Sequence, residues 1–310
     1  MKKGKHTVKS ITLGKSLARQ VLKDREKAIA RRRGALVLRK KASDSRREMF
    51  SGTTSPSASA GVLIAEGDSW FNYPFHDVLR ELDDGFGYDI ESTAHWGDKV
   101  EDMAYSGGQL DAFTRCLDKV LRSNVQPRAI LLSGGGNDIA GDEFGMLLNH
   151  AKSSIAGLNA SIVSGIIQER LLNAYVTILS AVTEVSTVRT GHAIPIIVHG
   201  YDYAVPDGRG VMGGFGPLPG PWLEPGFRAK GYADLTRRKA IVKDLMDRFN
   251  SMLASLAGKP PFSHVNYLNL RGTLSTENQY KDWWANELHP TPDGFKTVAS
   301  KFAALIASFP

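Results

Sequence analysis

Short apolar runs alternate with longer helical patterns along residues 61–310, and this alternation constrains the fold more than any other feature. In residues 61–67, three consecutive apolar residues end at a Gly-Asp turn, which is typical of a strand buried on both faces. Similar runs predict four more strands, at 88–93, 129–133, 194–200 and 264–270. Helical patterns are found at 75–82, 99–121, 166–188, 232–256 and 292–308. Because strands separated by helices pair in parallel through right-handed crossovers, the sequence predicts an α/β fold with helices on both faces of a parallel sheet.

The positive charge of the chain is concentrated at its N-terminus. The net charge is +7, but residues 1–50 hold seventeen Lys and Arg against four Asp and Glu, so residues 51–310 are net acidic. Leu13, Leu17, Val21 and Ile29 recur at roughly helical intervals among the basic residues. We therefore expect a basic arm, partly helical or disordered, that could contact an anionic membrane or remain solvated. Nucleic acid is disfavoured as a partner because the rest of the chain is acidic.

Composition marks two segments around the main domain. Residues 51–60, SGTTSPSASA, have the composition of a flexible linker, so we expect the domain proper to span 61–310. Residues 201–227 are rich in Gly and Pro and too long for an ordinary loop, so they are an insertion after the fourth strand. Their aromatic side chains could line a substrate entrance or hold the loop to the body. The candidate substrate-binding residues are Tyr201, Tyr203 and Trp222, with Trp70 beside the first strand.

The cysteine content and the N-terminal sequence indicate the cellular compartment of the protein. Cys116 is the only cysteine, so an internal disulfide and a cysteine-rich zinc site are excluded. No apolar segment of signal-peptide type follows the charged N-terminus, and no run of eighteen apolar residues occurs. We expect a cytoplasmic protein, or one exported without a Sec signal and possibly peripheral to a membrane.

Four residues beside the ends of predicted strands carry the candidate chemistry. They are Ser69 in a Gly-Asp-Ser turn, Gly97, Asn137 in Gly-Gly-Asn-Asp, and His289 just before the last helix. Each has a simple structural interpretation, such as a turn, a helix cap or a packed imidazole. Their shared position at the carboxyl edge of one sheet favours a functional site, because ligands of such folds bind at that edge.

These residues resemble the four sequence blocks of the SGNH (GDSL-type) hydrolases. The matching segments are Gly67 to Ser69, Gly97, Gly135 to Asp138 and His289, in the family's order over about four-fifths of the chain. The resemblance implies a three-layer α/β/α sandwich with a five-stranded parallel flavodoxin-like sheet. It also implies a serine esterase or lipase that needs no cofactor and no metal. Ser69 would then be the nucleophile and His289 the base, and the Ser69 N–H, the Gly97 N–H and the Asn137 side chain would form the oxyanion hole.

The sequence departs from this family pattern at residue 286. The family usually has Asp three residues before the His, whereas this chain has Asn286, with Asp282 as an alternative partner for His289. An amide oxygen can orient an imidazole but cannot stabilise imidazolium as a carboxylate does. We expect a serine ester hydrolase, with a lipid or phospholipid ester slightly favoured by the basic arm. The alternative is a catalytically impaired scaffold that binds or anchors to a membrane through that arm.

Overall fold

The computed structural model describes residues 2–40, 59–141, 143–211 and 219–310, and the side chains of the first helix from 7 to 30. Most of the expected linker, 51–58, and residues 212–218 of the insertion lie outside the described residues. The helices and strands in chain order are α1 (Lys2–Lys40), β1 (Val62–Glu66), α2 (Val78–Phe86), β2 (Asp89–Ser92), α3 (Val100–Tyr105), α4 (Gln109–Arg122), β3 (Ala129–Leu132), α5 (Gly136–Ile139), β4 (Leu148–Asn149), β5 (Gly157–Leu158), α6 (Ala160–Gly165), α7 (Leu172–Thr190), β6 (Ile196–His199), α8 (Glu224–Ala229), α9 (Leu235–Leu256), β7 (Val265–Leu268) and α10 (Pro292–Ala307).

The main sheet has five parallel strands in the order β2-β1-β3-β6-β7. This is the flavodoxin-like order, in which the chain direction across the sheet reverses at β1 and β3. The apolar runs of β3 and β6 are buried along their whole length, as expected for inner strands covered on both faces. All five predicted strands are present, so the predicted fold class is confirmed.

Helices cover both faces of this sheet. Helices α2 and α10 pack together, and α4 packs against α7, as right-handed crossovers from this strand order require. The pattern predicted at 99–121 is two helices, because the chain turns at residues 106–108 between α3 and α4. A π-helical turn, Ile166–Leu171, joins α6 to α7, so the predicted pattern at 166–188 belongs to a longer helical segment.

The N-terminal segment is a helix that packs on the body, which differs from the expected separate arm. Helix α1 lies across α7 and α4, and Ala18 and Leu22 are buried in the shared core. Of the apolar residues that recur at helical intervals, Val21 is buried, whereas Leu13 and Leu17 are 42% and 38% exposed. Contact of this helix with a membrane stays a prediction.

Small residues decide which face of α1 is buried. Gly14 approaches α7 so closely that a β-carbon there would lie 2.2 Å from the Thr177 carbonyl oxygen. Ser10, four residues earlier, donates a hydrogen bond to the Asn173 side chain at 3.0 Å. Because a leucine would separate the two helices, the small residues form the contact and the leucines flank it.

The packing of α1 against α7 also explains why α7 is apolar on all sides. The helical segment Ala160–Thr190 is long and apolar enough to cross a membrane by length and composition alone. However, 67% of its most apolar window is buried inside the protein. A helix that is apolar all round fits a position between a sheet and another helix, so packing accounts for its composition.

Candidate active site

The four candidate residues lie at the carboxyl edge of the sheet. Ser69 follows β1, Gly97 follows β2, Asn137 lies in the short helix after β3, and His289 lies just before α10. Strands β1 and β3 are neighbours at the point where the strand order reverses. This is where the crevice of a doubly wound sheet forms, so the fold brings together residues that are far apart in sequence.

Ser69, His289 and Asn286 form a hydrogen-bonded chain. His289 Nε2 lies 2.8 Å from Ser69 Oγ, and His289 Nδ1 lies 2.9 Å from Asn286 Oδ1. All three side chains are buried, at 4%, 2% and 1% exposure. The arrangement has the connectivity of a nucleophile, a base and a group that orients the base.

The orientation of the Asn286 amide fixes the tautomer of the imidazole. Asn286 Oδ1 accepts hydrogen bonds from the backbone N–H groups of Leu288 and His289, at 3.0 and 2.9 Å. Since this oxygen can only accept, His289 Nδ1 carries the proton and Nε2 is left with the lone pair that faces Ser69. Asp282 is exposed, and its backbone carbonyl accepts from Thr291 Oγ1. Of the two candidate partners, Asn286 is therefore the one that the structure brings to His289.

Burial dominates the protonation of His289. Desolvation lowers the pKa of this imidazole to about 3, because the charged form loses its hydration. A carboxylate partner would oppose that effect, but the neutral amide of Asn286 does not. The imidazole is therefore neutral, and able to accept a proton, across the ordinary pH range.

Two aromatic residues surround the imidazole. Tyr73 stacks on His289 with ring centroids 4.1 Å apart and an interplanar angle of 17°, and its hydroxyl accepts from Asn286 Nδ2 at 3.1 Å. Trp222, from the Gly/Pro-rich insertion, meets the imidazole edge-on at 5.4 Å. Sequence reasoning missed Tyr73, although it lies only four residues after Ser69, because no spacing rule links it to a residue near the end of the chain.

The loops that hold the expected oxyanion-hole residues are tied together. Asn137 Nδ2 donates to the Asp98 carbonyl at 2.9 Å, which leaves its second hydrogen for another acceptor. Asp138 accepts from the Val100 N–H at 2.9 Å, and burial raises the pKa of this carboxyl to about 6. These two bonds hold the loop containing Gly97 beside Asn137. Sequence reasoning also missed the bridging role of Asp138.

Gly97 lies in a backbone conformation that favours glycine. Its φ is +88°, in the left-handed region that favours glycine, while a β-carbon built there would have nothing within 4 Å. Backbone conformation, and not crowding by neighbouring protein atoms, therefore accounts for the glycine. Its N–H as an oxyanion donor stays a prediction.

A buried carboxyl group fixes the turn that carries Ser69. Asp68 accepts hydrogen bonds from the Trp70 N–H at 3.0 Å, from Ser133 Oγ at 2.9 Å, and from the Tyr201 hydroxyl. Burial outweighs these three donors and raises the pKa of Asp68. Trp70 Nε1 in turn donates to the Leu288 carbonyl at 3.0 Å, which connects this turn directly to the loop of His289.

A small apolar cavity lies beside Ser69. Its volume is about 40 Å³, and Trp70, Asn137 and Tyr201 line it together with Ser69. The other lining side chains are mostly apolar and include Ile139, Leu223, Val242, Leu245, Met246 and Leu288. Such a cavity can hold a short apolar group next to the serine hydroxyl.

The four candidate substrate-binding residues are not equivalent. Trp70 and Tyr201 line the cavity, although both also hold the Ser69 turn in place. Trp222 packs on His289. Tyr203 lies elsewhere: its hydroxyl donates to Asp247 at 2.8 Å and Lys243 lies over its ring.

A second carboxylate, Glu287, anchors the insertion to the site. It is fully buried and accepts from four backbone N–H groups, those of Gly208, Trp222, Leu223 and Glu224, at 2.7 to 3.0 Å. Burial outweighs these donors and raises its pKa. Because Glu287 is next to Asn286, one short segment orients the imidazole and holds the loop that covers it.

Comparison with known proteins gives likenesses in fold. No family model matches the chain, and no curated protein sequence matches it. Among solved structures, it is similar to an extracellular lipase from Streptomyces rimosus, with 16% identity, a TM-score of 0.46 and coverage of 79% of this chain and 99% of that chain. It is also similar to a carbohydrate esterase family 3 protein from Talaromyces cellulolyticus, with 11% identity, a TM-score of 0.39 and coverage of 81% and 100%.

A third similar structure is the acetylxylan esterase Axe2 from Geobacillus stearothermophilus, with 14% identity, a TM-score of 0.35 and coverage of 81% and 96%. Other structures to which it is similar are an acetyl esterase mutant, a putative SGNH hydrolase from Slackia heliotrinireducens and a possible lipase from Chitinophaga pinensis. At these identities the likeness concerns the fold alone, and the chemistry is argued from the residues of this chain.

Proposed function

We propose that this chain is a serine carboxylic ester hydrolase of the SGNH type that acts through an acyl-enzyme on Ser69. The observation that carries the proposal is the hydrogen-bonded chain from Ser69 through His289 to Asn286, buried beside an apolar cavity. A serine hydroxyl is a weak nucleophile by itself. A neutral imidazole within hydrogen-bonding distance, with its lone pair facing the hydroxyl, supplies the base that the reaction needs.

In the acylation step, Ser69 Oγ attacks the ester carbonyl while His289 Nε2 takes the hydroxyl proton. The tetrahedral intermediate carries a negative oxygen, for which the Asn137 side chain and the N–H groups of Ser69 and Gly97 are the proposed donors. Collapse of the intermediate expels the alcohol, which receives the proton from His289. Water then attacks the acyl-enzyme with the same base, and the acid is released.

The small volume of the cavity beside Ser69 favours a substrate with a short acyl group. A volume of about 40 Å³ is several times smaller than the ~150 Å³ of an engineered cavity that holds benzene. We therefore propose acyl groups of about two to four carbons. The packing of α1 against α7 weakens the argument for a lipid ester, because that argument rested on a free basic arm.

A serine-directed fluorophosphonate probe tests the nucleophile. We expect the native protein to be labelled at Ser69 and to hydrolyse p-nitrophenyl acetate, and Ser69→Ala to do neither while its thermal unfolding stays unchanged. Heat-denatured protein is the control for non-specific labelling. Absence of both labelling and turnover in the native protein would favour the impaired-scaffold alternative.

A series of p-nitrophenyl esters tests the acyl group separately. With acetate, butyrate and octanoate esters, we expect kcat/KM for octanoate to be at least about 10-fold below that for acetate, because its chain exceeds the cavity. A higher kcat/KM for octanoate would reject the short acyl group but not the hydrolase.

A further inference from the structure

Among the residues that the structure describes, the base of this site has only neutral partners. The imidazole of His289 contacts Ser69 and Tyr73 from the segment after β1, Trp222 from the insertion, and Asn286 from its own loop. The carboxylates next to these residues in sequence are engaged elsewhere. Asp68 bonds to the Ser69 turn and to Tyr201, and Glu287 bonds to the insertion.

This arrangement poses an electrostatic problem for the reaction. When His289 takes the proton of Ser69, it becomes an imidazolium in a buried site. A carboxylate would stabilise that charge, whereas the amide of Asn286 can only orient the ring. The stabilisation has to come in part from another group that faces the imidazole.

Tyr73 is placed to supply it in two ways. Its ring lies almost parallel to the imidazole at 4.1 Å, so the electron-rich face of the phenol covers the group that becomes positive. Its hydroxyl accepts from Asn286 Nδ2 at 3.1 Å, which satisfies the end of the amide that points away from His289. Tyr73 thus contacts both the base and the residue that orients it.

We propose that Tyr73 is a positioning residue that takes over part of the task of the missing carboxylate, by stabilising the His289 imidazolium with its ring face and by holding the Asn286 amide with its hydroxyl. The inference rests on the proposed hydrolase function. It assigns different tasks to the ring and to the hydroxyl, so different substitutions separate them.

The test is a double-mutant cycle between residues 73 and 286, measured as kcat and KM on p-nitrophenyl acetate. We expect Tyr73→Leu to lower kcat by about 30-fold with little change in KM, since the ring acts on the charge that forms in the transition state. Tyr73→Phe keeps the ring and should recover most of this loss, to within about 5-fold of the native enzyme. The matched control is Tyr105→Leu, since Tyr105 is an exposed tyrosine on α3, and it should leave kcat unchanged.

The Asn286→Asp background decides between a catalytic and a merely structural effect. With a carboxylate beside His289, the imidazolium no longer depends on the ring, so Tyr73→Leu should lower kcat by less than about 5-fold there. The acid limb of kcat/KM should also move to higher pH in Asn286→Asp, because the carboxylate favours protonated His289. Thermal unfolding of each variant checks that it is folded.

The outcomes separate the two proposals. An equal loss from Tyr73→Leu in both backgrounds, or no rescue by Tyr73→Phe, would overturn the role of Tyr73 and leave the hydrolase intact. A native protein that neither turns over ester nor is labelled at Ser69 would overturn both.

Discussion

Two fully buried carboxylates anchor the two segments that lie outside the five-stranded fold, and they do so by different physics. Asp118 of α4 accepts from three arginines, Arg25 of α1 at 3.1 Å, Arg122 at 3.0 Å and Arg189 of α7 at 2.7 Å. Glu287 accepts from four backbone N–H groups of the insertion. The first is a charge cluster among helices, and the second is a carboxylate held by neutral peptide groups.

The difference separates stability from activity. The Asp118 cluster joins α1, α4 and α7 and has no contact with Ser69 or His289 among the described residues. Glu287 lies two residues from His289 and holds Trp222, which packs on the imidazole. Loss of the first anchor should change the free energy of unfolding alone, and loss of the second should also change turnover.

The largest expected effect is that of Asp118→Asn on stability. The substitution removes a shared carboxylate from three partly buried guanidinium groups, of which that of Arg189 keeps a second partner in Glu26 at 3.4 Å. We therefore expect the free energy of unfolding to fall by about 3 kcal/mol. Urea denaturation measures this loss. Asp111→Asn is the matched control, because the side chain of Asp111 on the same helix is 46% exposed and its pair with Arg115 should contribute less than about 1 kcal/mol. A changed kcat in the folded fraction of Asp118→Asn would contradict the view that Asp118 affects stability alone.

The next effect is that of Glu287→Gln, which should lower both stability and activity. The amide places its NH₂ group against backbone donors, so we expect a loss of about 2 kcal/mol in unfolding free energy. We also expect kcat/KM on p-nitrophenyl acetate to fall by about 10-fold or more as Trp222 loses its position. Glu277→Gln, whose side chain is 82% exposed, should change neither. Loss of stability with unchanged kcat/KM would make Glu287 an anchor of the same kind as Asp118.

The packing of α1 predicts that Gly14→Ala destabilises the protein, although helix propensity alone predicts the opposite. Helix propensity alone favours alanine by about 1 kcal/mol. The β-carbon would meet the Thr177 carbonyl oxygen, so we expect a net destabilisation of about 1–2 kcal/mol by urea denaturation, with kcat unchanged. Ser16→Ala, at an exposed position on the same helix, should be neutral or slightly stabilising. A stabilising Gly14→Ala would mean that α1 does not pack on α7 in this way.

The smallest effect is expected at the leucines of α1 that the structure leaves exposed. Leu13→Ala should change the free energy of unfolding by less than about 0.5 kcal/mol, because Leu13 is 42% exposed. Leu22→Ala, at 5% exposure, should destabilise by about 2 kcal/mol. Comparable losses at the two positions would mean that Leu13, like Leu22, lies in a buried contact.

The sequence predicted local features well and long-range contacts poorly. The apolar runs located all five strands, and helix α10 begins at Pro292 as expected, with Thr291 capping its first turn. By contrast, the spacing of Leu13 and Leu17 indicated a helix but not which of its residues contact the rest of the protein. That contact could not be predicted because the partner of α1 is a helix some 160 residues away, and its shape favours small residues at the contact.

The sequence by itself determined the α/β class, the order of the candidate residues along the chain, and the amide at position 286. These follow from periodicity, turn residues and the identity of single side chains, which need no knowledge of distant contacts. Only the tertiary structure decided that Tyr73 covers His289, that Glu287 holds the insertion, and that α1 belongs to the folded body. Each of these contacts joins parts of the chain that no local pattern relates, because burial and hydrogen bonding between them exist only once the sheet has brought them together.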